Sequence, residues 1–404
     1  MGVLLPQTVY EASQIGREIP ESLDNYRRRG GYEAFRRILH EGPQEVLSVI
    51  SDAELRGRGG AAFPTARKWA ELLKSPSRER YLVVNGAEGE PGSMKDRVLM
   101  GVAPHALLEG LLISGITLGV SQVIVYINNH FPEAVQALTD AYHEWQEEFP
   151  VDVGFPIEFR AETHVYIAGE ETALISVLNG EGAMPRLKPP YPTTDGYRHQ
   201  PTVVNNVETL AHIPVILRLG ASWYRQHRPA LFSVAGDVKN PGVYEVSRGI
   251  SVRELLDLAG GPPAPMHIMG LLPGGYSMPW LTADQFHLAL DEDSLKAVGS
   301  GLGASLIALG DHRSWQAVAA EILAFFARET CGQCPLCVRG TRMFHDFLSL
   351  KDRPYTAQEV QQILDKAPKY RHKGICSFMD TAVRMAESAA PFLPIEPGNL
   401  ISQG

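Results

Sequence analysis

The sequence predicts three parts: an α/β domain with a mainly parallel sheet, a small α+β module and an all-α C-terminal region. Strand-like and helix-like segments alternate from Tyr81 onwards, which is typical of βαβ units and a parallel sheet. Residues 232–246 alternate apolar and polar side chains on both sides of Asn240-Pro241-Gly242, which indicates a hairpin. After Ser314 the pattern becomes helical. We therefore place the three parts at residues 1–228, 229–310 and 311–404.

The composition is that of an ordinary globular protein. The 404 residues are 44% hydrophobic and 21% charged, which excludes a disordered, collagenous or purely coiled-coil chain. The net charge is -9 and the basic residues are scattered, which argues against a nucleic-acid partner. The first residues contain no basic segment followed by an apolar core. We therefore expect no secretory signal and a cytoplasmic location.

One uncharged run is long enough to be considered for a membrane span. Residues 110–127 carry no charge, but they include Ser114, Thr117, Ser121 and Gln122. The run also ends in a cluster of β-branched residues. A buried helix that leads into a buried strand therefore fits this segment better than a direct membrane span.

Local patterns predict the elements of the α/β domain. Residues 1 to about 70 form a lead-in of polar loops and short helices, with helical turns at 32–39 and 43–51. A strand at 81–85 runs into a glycine-rich loop, and the irregular Pro-rich segment at 186–206 is long enough to indicate a functional loop. Between them we expect alternating helices and strands at 105–119, 122–128, 132–145, 157–161 and 170–178.

The other two parts carry clear helix signals. A short helix at about 252–258, closed by Gly260, follows the hairpin of the module. In the C-terminal region, Thr356-Ala-Gln-Glu359 is a capping box that opens a helix. A last helix is expected at about 377–390, before Pro391.

The cysteines form the most specific pattern in the chain. Cys331, Cys334 and Cys337 lie within seven residues, and Cys376 follows 39 positions after the third. A [4Fe-4S] cluster needs four thiolates, and a compact triad with one remote cysteine supplies them. Structural zinc and free, inert thiols are the alternatives, although zinc sites more often use two separated cysteine pairs. With all four cysteines bound to metal, none is left for a disulfide.

Four polar segments are candidates for a ligand site. The glycine loop at 56–69 runs into a helix, where backbone amides and the helix N-terminus favour a phosphate group. The segment at 85–97 directly follows a strand, where open α/β sheets bind ligands. The segment at 166–173 carries a pair of glutamates, and the segment at 204–209 carries a pair of asparagines. Each has a plainer interpretation: an empty glycine turn, a solvated turn, acidic residues at a helix start or an ordinary asparagine turn.

Taken together, these motifs resemble those of one family. In chain order they are RGRGGAAFPTARKW, NGAEGEPGSMKDR, YIAGEETAL, PRLKPPYP, PTVVNNVET, CGQCPLCVRGT and the remote GIC. From about residue 30 to 395, the chain resembles the flavin-carrying, NADH-oxidising subunit of respiratory complex I. It also resembles the related diaphorase subunits of NAD-dependent hydrogenases and formate dehydrogenases. The shared order of several motifs and the cysteine spacing argue against a chance resemblance.

The resemblance implies an α/β domain that binds FMN. The residues that would hold FMN on the family pattern are Gly57, Gly59, Gly60, Lys68, Asn85, Glu88, Gly169, Glu170, Asn205 and Asn206. One phosphate suits one glycine loop, and the chain contains no G-x-G-x-x-G pyrophosphate turn. We therefore expect FMN rather than FAD.

The resemblance also implies that NADH lies over the flavin. The residues expected along it are Phe63, Tyr191, Glu171, Lys188 and Glu90. The two aromatic rings stack on adenine, Lys188 and Glu171 hold phosphate and ribose, and Glu90 meets the nicotinamide carboxamide. Tyr166 belongs to the same cofactor-binding set, and Glu90 and Glu171 are the candidate catalytic residues.

The implied function is that of an electron-input subunit. NADH gives a hydride to FMN, or the reverse, and FMN exchanges single electrons with the [4Fe-4S] cluster. Because no cysteine remains for a second cluster, an iron-sulfur partner is required; a thioredoxin-like [2Fe-2S] subunit and a larger oxidoreductase complex are expected. Such a complex would hold the chain peripherally at the inner face of a membrane. The 229–310 module looks like the ubiquitin-like β-grasp insert of these subunits.

Some positions depart from the family pattern. Ala87 stands where the family has an aspartate, and Glu71 stands where a second stacking aromatic is usual. Ala62 replaces a glycine and Tyr191 a phenylalanine. Ala87 and Glu71 favour one alternative, an electron-relay or scaffold subunit that keeps FMN and the cluster but has lost productive NADH binding.

Overall fold

The computed structural model describes residues 2–163, 165–303, 305–349 and 353–396. Its first part is built on a parallel sheet flanked by helices. In chain order its elements are β1 (Val9–Glu11), α1 (Leu23–Arg28), α2 (Glu33–Glu41), α3 (Val46–Asp52), α4 (Thr65–Leu73), β2 (Tyr81–Gly86), α5 (Lys95–Val102), α6 (Pro104–Leu118), β3 (Gln122–Asn128), α7 (Pro132–Glu148), β4 (Ile157–Glu162), α8 (Glu171–Leu178), β5 (Thr202–Asn206), α9 (Val207–Leu219) and α10 (Ala221–His227).

The parallel sheet has the strand order β4-β3-β2-β5. Residues 81–84 of β2 and 123–128 of β3 are buried, as expected for strands that are covered on both faces. At the carboxyl edge of the sheet, Asn85 of β2 lies opposite Asn206 of β5. Polar side chains of two neighbouring strands therefore meet where open α/β sheets bind ligands.

Helix α6 is the central helix of this part. Pro104 opens it at a position that needs no N–H donor, and Gly119, with a φ of 57°, ends it in the left-handed conformation. The buried Glu109 carboxylate accepts the Tyr26 hydroxyl at 2.6 Å and the Tyr32 N–H at 2.8 Å. The buried Glu109 carboxylate therefore has hydrogen-bond partners, as buried polar groups require.

Within the described residues, no single helix has both the length and the apolar character of a membrane span. Helices α5 and α6 pass that test only as a pair, and they meet at a bend of 93°. Helix α6 is buried on nearly all sides and leads into the buried strand β3. The interpretation of residues 110–127 as a buried helix and strand is therefore confirmed.

The second part is built on a mixed sheet. Its elements are β6 (Pro229–Gly236), β7 (Gly242–Ser247), α11 (Val252–Leu258), β8 (Ile268–Tyr276), β9 (Leu281–Thr282), α12 (Glu292–Ala297) and β10 (Ser305–Gly310). The strand order is β1-β7-β6-β10-β8-β9. Strands β6 and β7 form the predicted antiparallel hairpin, and β10 runs parallel to β6. A capping box of Ser251 and Glu254 opens α11.

The N-terminal segment is attached to this second part. Strand β1 pairs with β7 in antiparallel orientation. The Glu245 carboxylate accepts the backbone N–H groups of Val3, Leu4 and Leu5 at 2.6, 2.9 and 2.9 Å. Leu4 and Leu5 are fully buried. The sequence did not predict this attachment, because a three-residue strand carries too little periodicity to be recognised.

The third part is helical. Its helices are α13 (Trp315–Glu329), α14 (Pro335–Ser349), α15 (Ala357–Tyr370) and α16 (Phe378–Ala389). Thr356 and Glu359 form the predicted capping box at the start of α15. Helix α13 packs along α14 and α16, and Phe326, Phe344 and Met379 lie in the shared core.

Most predicted elements lie within a few residues of the observed ones. Strand β3 has the predicted bounds, and the helix predicted at 132–145 extends to Glu148. The asparagine pair at 205–206 is not an ordinary turn, because β5 ends at Asn206 and α9 begins at the next residue. The Asn206 side chain accepts the Glu208 N–H at 3.0 Å, so it caps α9.

Candidate functional site

The glycine loop of residues 56–64 lies between α3 and α4 and folds back on itself. The Gly57 N–H donates to the Phe63 carbonyl at 2.9 Å. The Arg58 N–H donates to Thr209 Oγ1, also at 2.9 Å, which ties the loop to α9. Two of its backbone amides are thus engaged by the protein itself, and the shape of the loop is set by these bonds.

Open space adjoins the glycines of this loop and of the 166–169 turn. Gly60 has a φ of 107°, a conformation that favours glycine. A Cβ placed on Gly60 or on Gly169 meets no atom within 4 Å, whereas one on Gly59 lies 3.3 Å from Asn206 Cβ. The loop therefore faces the asparagine edge of the sheet and leaves room for a ligand, which is what a phosphate-binding flavin site requires.

The asparagines at the carboxyl edge connect the predicted site segments. Asn85 Nδ2 donates to the Gly169 carbonyl at 2.9 Å. Asn206 Nδ2 donates to Asp96 Oδ2 at 2.6 Å and to the Asn85 carbonyl at 3.3 Å. These bonds bring residues of β2, β5, α5 and the 166–169 turn to one place.

Helix α4 is fixed against β5 by two neighbouring side chains. Trp69 Nε1 donates to Asn205 Oδ1 at 2.9 Å, and Lys68 Nζ donates to the Val204 carbonyl at 2.8 Å. Lys68 also pairs with Glu171 at 2.6 Å. The Asn205 oxygen is thus occupied by the indole, whereas the Lys68 ammonium lies at the junction of α4, α8 and the sheet.

A cluster of two lysines and two glutamates lies at the start of α8. Lys188 Nζ pairs with Glu171 at 3.0 Å and with Glu170 at 3.1 Å. Glu170 also caps α8 by accepting the Thr172 N–H at 2.8 Å. Burial opposes ionisation of Glu171, but Lys68 and Lys188 outweigh it and hold the pKa of that carboxyl below its ordinary value.

Glu88 organises the turn that follows β2. Its φ is 36°, and its carboxylate accepts Ser93 Oγ and the N–H groups of Asp96 and Arg97, each at 2.8 Å. Burial, together with the nearby Asp96 carboxylate, raises the pKa of Glu88 to about 7. The predicted ligand residue therefore also holds the start of α5 in place.

An ionic network that the sequence prediction missed lies behind the asparagine edge. Lys95 Nζ lies 2.5 Å from Asp96 Oδ1 and 2.9 Å from Glu208 Oε2, and all three side chains are buried. His212 Nε2 lies 3.4 Å from Glu208 Oε1. Burial, reinforced by Arg58, lowers the pKa of His212 to about 4. Lys95 and Glu208 lie inside the recognised motifs, so motif membership was the available signal.

Phe63 and Tyr191, the predicted stacking residues, lie at the surface. The two residues are 45% and 56% exposed, which leaves their rings accessible to a ligand. The Arg67 guanidinium lies 5.7 Å from the centre of the Phe63 ring. Glu71 pairs with Lys74 at 2.8 Å on the exposed surface, so this departure from the family pattern replaces a ring by a solvated ion pair.

Glu90 and Tyr166, predicted for the nicotinamide end, are in direct contact. Tyr166 Oη donates to Glu90 Oε2 at 2.8 Å. Glu90 also accepts Ser277 Oγ at 2.6 Å and the Tyr276 N–H at 2.7 Å, both from the second part of the chain. The sequence prediction missed these two partners.

The four cysteines line one cavity, although Cys376 is distant in sequence from the other three. Ile167 lines the same cavity, and the Ile375 N–H points at Cys334 Sγ at 3.5 Å. Among the residues that the structure describes, no three metal-ligating side chains meet closely enough for a single ion. Four cysteines around a common space are the donor set of a [4Fe-4S] cluster.

Three family models match the chain. Residues 50–215 match the Nuo51 FMN-binding domain, residues 231–279 the SLBB domain, and residues 317–393 the NADH-ubiquinone oxidoreductase-F iron-sulfur binding region. The third match shows that the chain carries a [4Fe-4S] cluster, which excludes the zinc alternative for the cysteines. An FMN-binding domain joined to an iron-sulfur domain defines an oxidoreductase subunit with a flavin and a cluster.

Relatives extend over most of the chain. The NADH-quinone oxidoreductase F 2 subunit of Rhizobium meliloti (strain 1021) is 38% identical over 341 residues, which cover 80% of this chain and 81% of the relative. The F subunit of the Escherichia coli (strain K12) enzyme is 39% identical over 338 residues, covering 80% and 76%. The chain belongs to the F-subunit family of NADH-quinone oxidoreductases, which confirms the resemblance. It is an oxidoreductase subunit of the NADH dehydrogenase or diaphorase type.

A solved structure has the same fold. The NAD+-reducing [NiFe]-hydrogenase in its H2-reduced state matches with a TM-score of 0.81 and 30% identity. The match covers 96% of this chain and 68% of that chain. The fold of the FMN domain, the SLBB domain and the helical iron-sulfur region is therefore shared with a hydrogenase chain.

Proposed function

We propose that this subunit oxidises NADH at the face formed by the glycine loop and the carboxyl edge of the parallel sheet. With FMN at this face and a cluster in the cysteine cavity, the chain would hand electrons on to partner iron-sulfur subunits. The observation that carries this proposal is a set of contacts that joins the segments around the open space. Gly59 faces Asn206, Asn206 bonds Asn85 and Asn85 bonds Gly169, while Lys68, on the helix after the glycine loop, pairs with Glu171.

FMN would be held by the residues that these contacts bring together. The glycine amides and the Lys68 ammonium suit a phosphate, because backbone donors and positive charge both favour an anion. Asn85 and Asn206 offer amide groups at the sheet edge, while Asn205 supports them through its bond to Trp69. Glu88 and Glu170 fix the two turns on either side of the open space.

When bound, FMN supplies the conversion between a two-electron transfer and one-electron transfers. The chain contributes a short link between the two cofactor sites. The 166–169 turn bonds Asn85 through the Gly169 carbonyl, and its Ile167 side chain lines the cysteine cavity. A single helical turn thus contacts both the asparagine edge and the cysteine cavity.

The NADH contacts follow from exposure and charge. Phe63 and Tyr191 present exposed rings for adenine. The Lys188 ammonium suits a phosphate, and the ionised Glu171 suits a ribose hydroxyl. Glu90 and Tyr166 offer a carboxylate and a phenol for the nicotinamide carboxamide.

The finer features of fold and assembly are proposals as well. The second part has a β-grasp arrangement, which is supported by the β6-β7 hairpin, the following α11 and the parallel pairing of β10 with β6. A thioredoxin-like [2Fe-2S] subunit is the expected partner in a larger oxidoreductase complex. The chain is then a peripheral protein on the cytoplasmic face of a membrane, or part of a cytoplasmic enzyme.

An anaerobic titration of the purified holoprotein with NADH tests the function. Bleaching of the flavin absorbance by one equivalent of NADH supports NADH oxidation. A flavin that dithionite reduces but NADH does not would instead support the relay or scaffold alternative, which Ala87 and Glu71 favour.

A further inference from the structure

We infer that Ser277, the residue directly after β8 in the second part of the chain, is a positioning residue for Glu90. The inference rests on the proposed function, in which the Glu90 carboxylate meets the nicotinamide end of NADH. It assigns a share of the NADH site to the SLBB domain, outside the FMN-binding domain.

The geometry fixes both carboxylate oxygens of Glu90. Ser277 Oγ donates to Oε2 at 2.6 Å, and the Tyr276 N–H donates to Oε1 at 2.7 Å. Tyr166 Oη adds a third bond, to Oε2, at 2.8 Å. Two of these three donors come from β8 and the residue after it. Hydrogen bonds to an ionised carboxylate are stronger than neutral ones, so these donors set the orientation of the group.

The backbone before Ser277 is shaped around Glu90. Gly275 has a φ of 59°, and a Cβ placed on it would lie 2.6 Å from Glu90 Oε1. A Cβ here would displace the carboxylate from its present position, and the positive φ itself favours glycine. The close approach of the two segments therefore depends on a glycine as well as on the two donors.

Tyr276 connects this contact to the iron-sulfur region. Its hydroxyl donates to Glu321 Oε1 at 2.6 Å, and its ring centre lies 5.4 Å from that of Phe325, both on α13. Ser277 is therefore supported on a strand end that is itself held by a third part of the molecule. A residue carried on such a rigid support can hold its partner in one orientation.

The environment of Glu90 gives the contact a measurable consequence. Burial raises the pKa of Glu90, whereas the bonds from Ser277 and Tyr166 lower it. The titratable groups that face it are Tyr166 from the 166–169 turn and Tyr276 from β8, with Glu321 behind Tyr276. Loss of the Ser277 hydroxyl removes one lowering contribution, so Glu90 becomes protonated at a higher pH.

The test measures steady-state NADH oxidation with ferricyanide by the full-length holoprotein across a pH series. Ser277→Ala should raise the KM for NADH about tenfold, the effect of losing one charged hydrogen bond. It should also move the acid limb of kcat/KM to higher pH. Ser277→Thr keeps the hydroxyl and should restore both, whereas Ser277→Val, which has the shape of Thr, should behave as Ala. FMN content should not change.

Two controls separate positioning from structure. Ser300→Ala removes another serine bond in the second part of the chain, from Ser300 Oγ to the Pro279 carbonyl, and should leave the pH profile unchanged. In a Glu90→Gln background, Ser277→Ala should cause no further change, because the two residues act as one unit.

Each outcome has one meaning. Superimposed profiles of the Thr and Val variants, or an effect of Ser277→Ala that persists in the Glu90→Gln background, overturn the inference while NADH oxidation stands. A wild-type flavin that NADH does not reduce overturns the proposed function, and the positioning inference falls with it.

Discussion

Lys68 Nζ lies 2.6 Å from Glu171 Oε2, and this ion pair joins the helix after the glycine loop to the helix after the 166–169 turn. Lys188 reaches the other oxygen of Glu171 at 3.0 Å. The carboxylate is thus held between two cations at the junction of three site segments. Its lowered pKa keeps it ionised at neutral pH, ready to accept a hydrogen bond.

Glu171→Gln should raise the KM for NADH while FMN stays bound. A carboxylate that accepts a ribose hydroxyl loses about 1.5 to 3 kcal/mol when its charge is removed, or about 10- to 150-fold in affinity. Steady-state kinetics and the flavin content of the purified variant are the measurements. Glu181→Gln, an exposed glutamate just beyond the same helix, is the control. Unchanged NADH kinetics in Glu171→Gln would remove Glu171 from the site.

NADH should be preferred over NADPH. An ionised Glu171 near the 2′-hydroxyl repels a 2′-phosphate, since like charges at short range are unfavourable. The ratio of kcat/KM for the two nucleotides measures the preference, and Glu171→Gln should reduce that ratio. A wild-type protein that prefers NADPH contradicts the placement of Glu171 at the ribose.

Replacement of Cys376 by Ala should abolish the cluster, although the other three cysteines remain. Four thiolates hold the four irons, and metal binding is linked to folding of the surrounding helices. Iron and acid-labile sulfide analysis should show the loss, together with a lower unfolding midpoint of the C-terminal helices. Ser377→Ala, at the neighbouring position, should keep the cluster. Full iron content in Cys376→Ala would show that another residue is the fourth ligand.

Gly169→Val should expel FMN without unfolding the domain. A Cβ at Gly169 meets no protein atom within 4 Å, so only a ligand is in a position to clash with the added side chain. Gly101→Val, at a helical glycine with equally open surroundings, is the matched control. Flavin released by acid from the wild type should be FMN by chromatography. Recovery of FAD, or normal flavin content in Gly169→Val, would count against the assigned site.

The stability of the fold should depend on His212 below neutral pH. The pKa of His212 is about 4 in the folded chain, against an ordinary value of 6.5. Between these two pH values the unfolded chain therefore binds a proton at this residue that the folded chain does not bind. Stability contributed by neutral His212 is therefore lost as pH falls through that range. Between about pH 7 and 5, the unfolding temperature of His212→Gln should fall less than that of the wild type. His40→Gln, at an exposed position, should follow wild type. Parallel curves for wild type and His212→Gln would contradict the prediction.

Local patterns determined much of the fold. The bounds of β3, the β6-β7 hairpin and the capping box at Thr356 were predictable, because each depends on a few neighbouring residues whose spacing matches one backbone geometry. The cysteine triad was equally local. Three cysteines within seven residues are enough by themselves to indicate a metal centre.

Contacts between distant segments were decided only by the tertiary structure. The pairing of β1 with β7, the Lys95–Glu208 ion pair and the Ser277–Glu90 bond join residues more than a hundred positions apart. Periodicity reports which face of a helix or strand is buried, but not which segment covers it. The sequence thus determined the element types and the chemistry of the motifs. Packing of the three parts decided that a serine of the SLBB domain bonds Glu90, because that bond exists only once both surfaces are brought together.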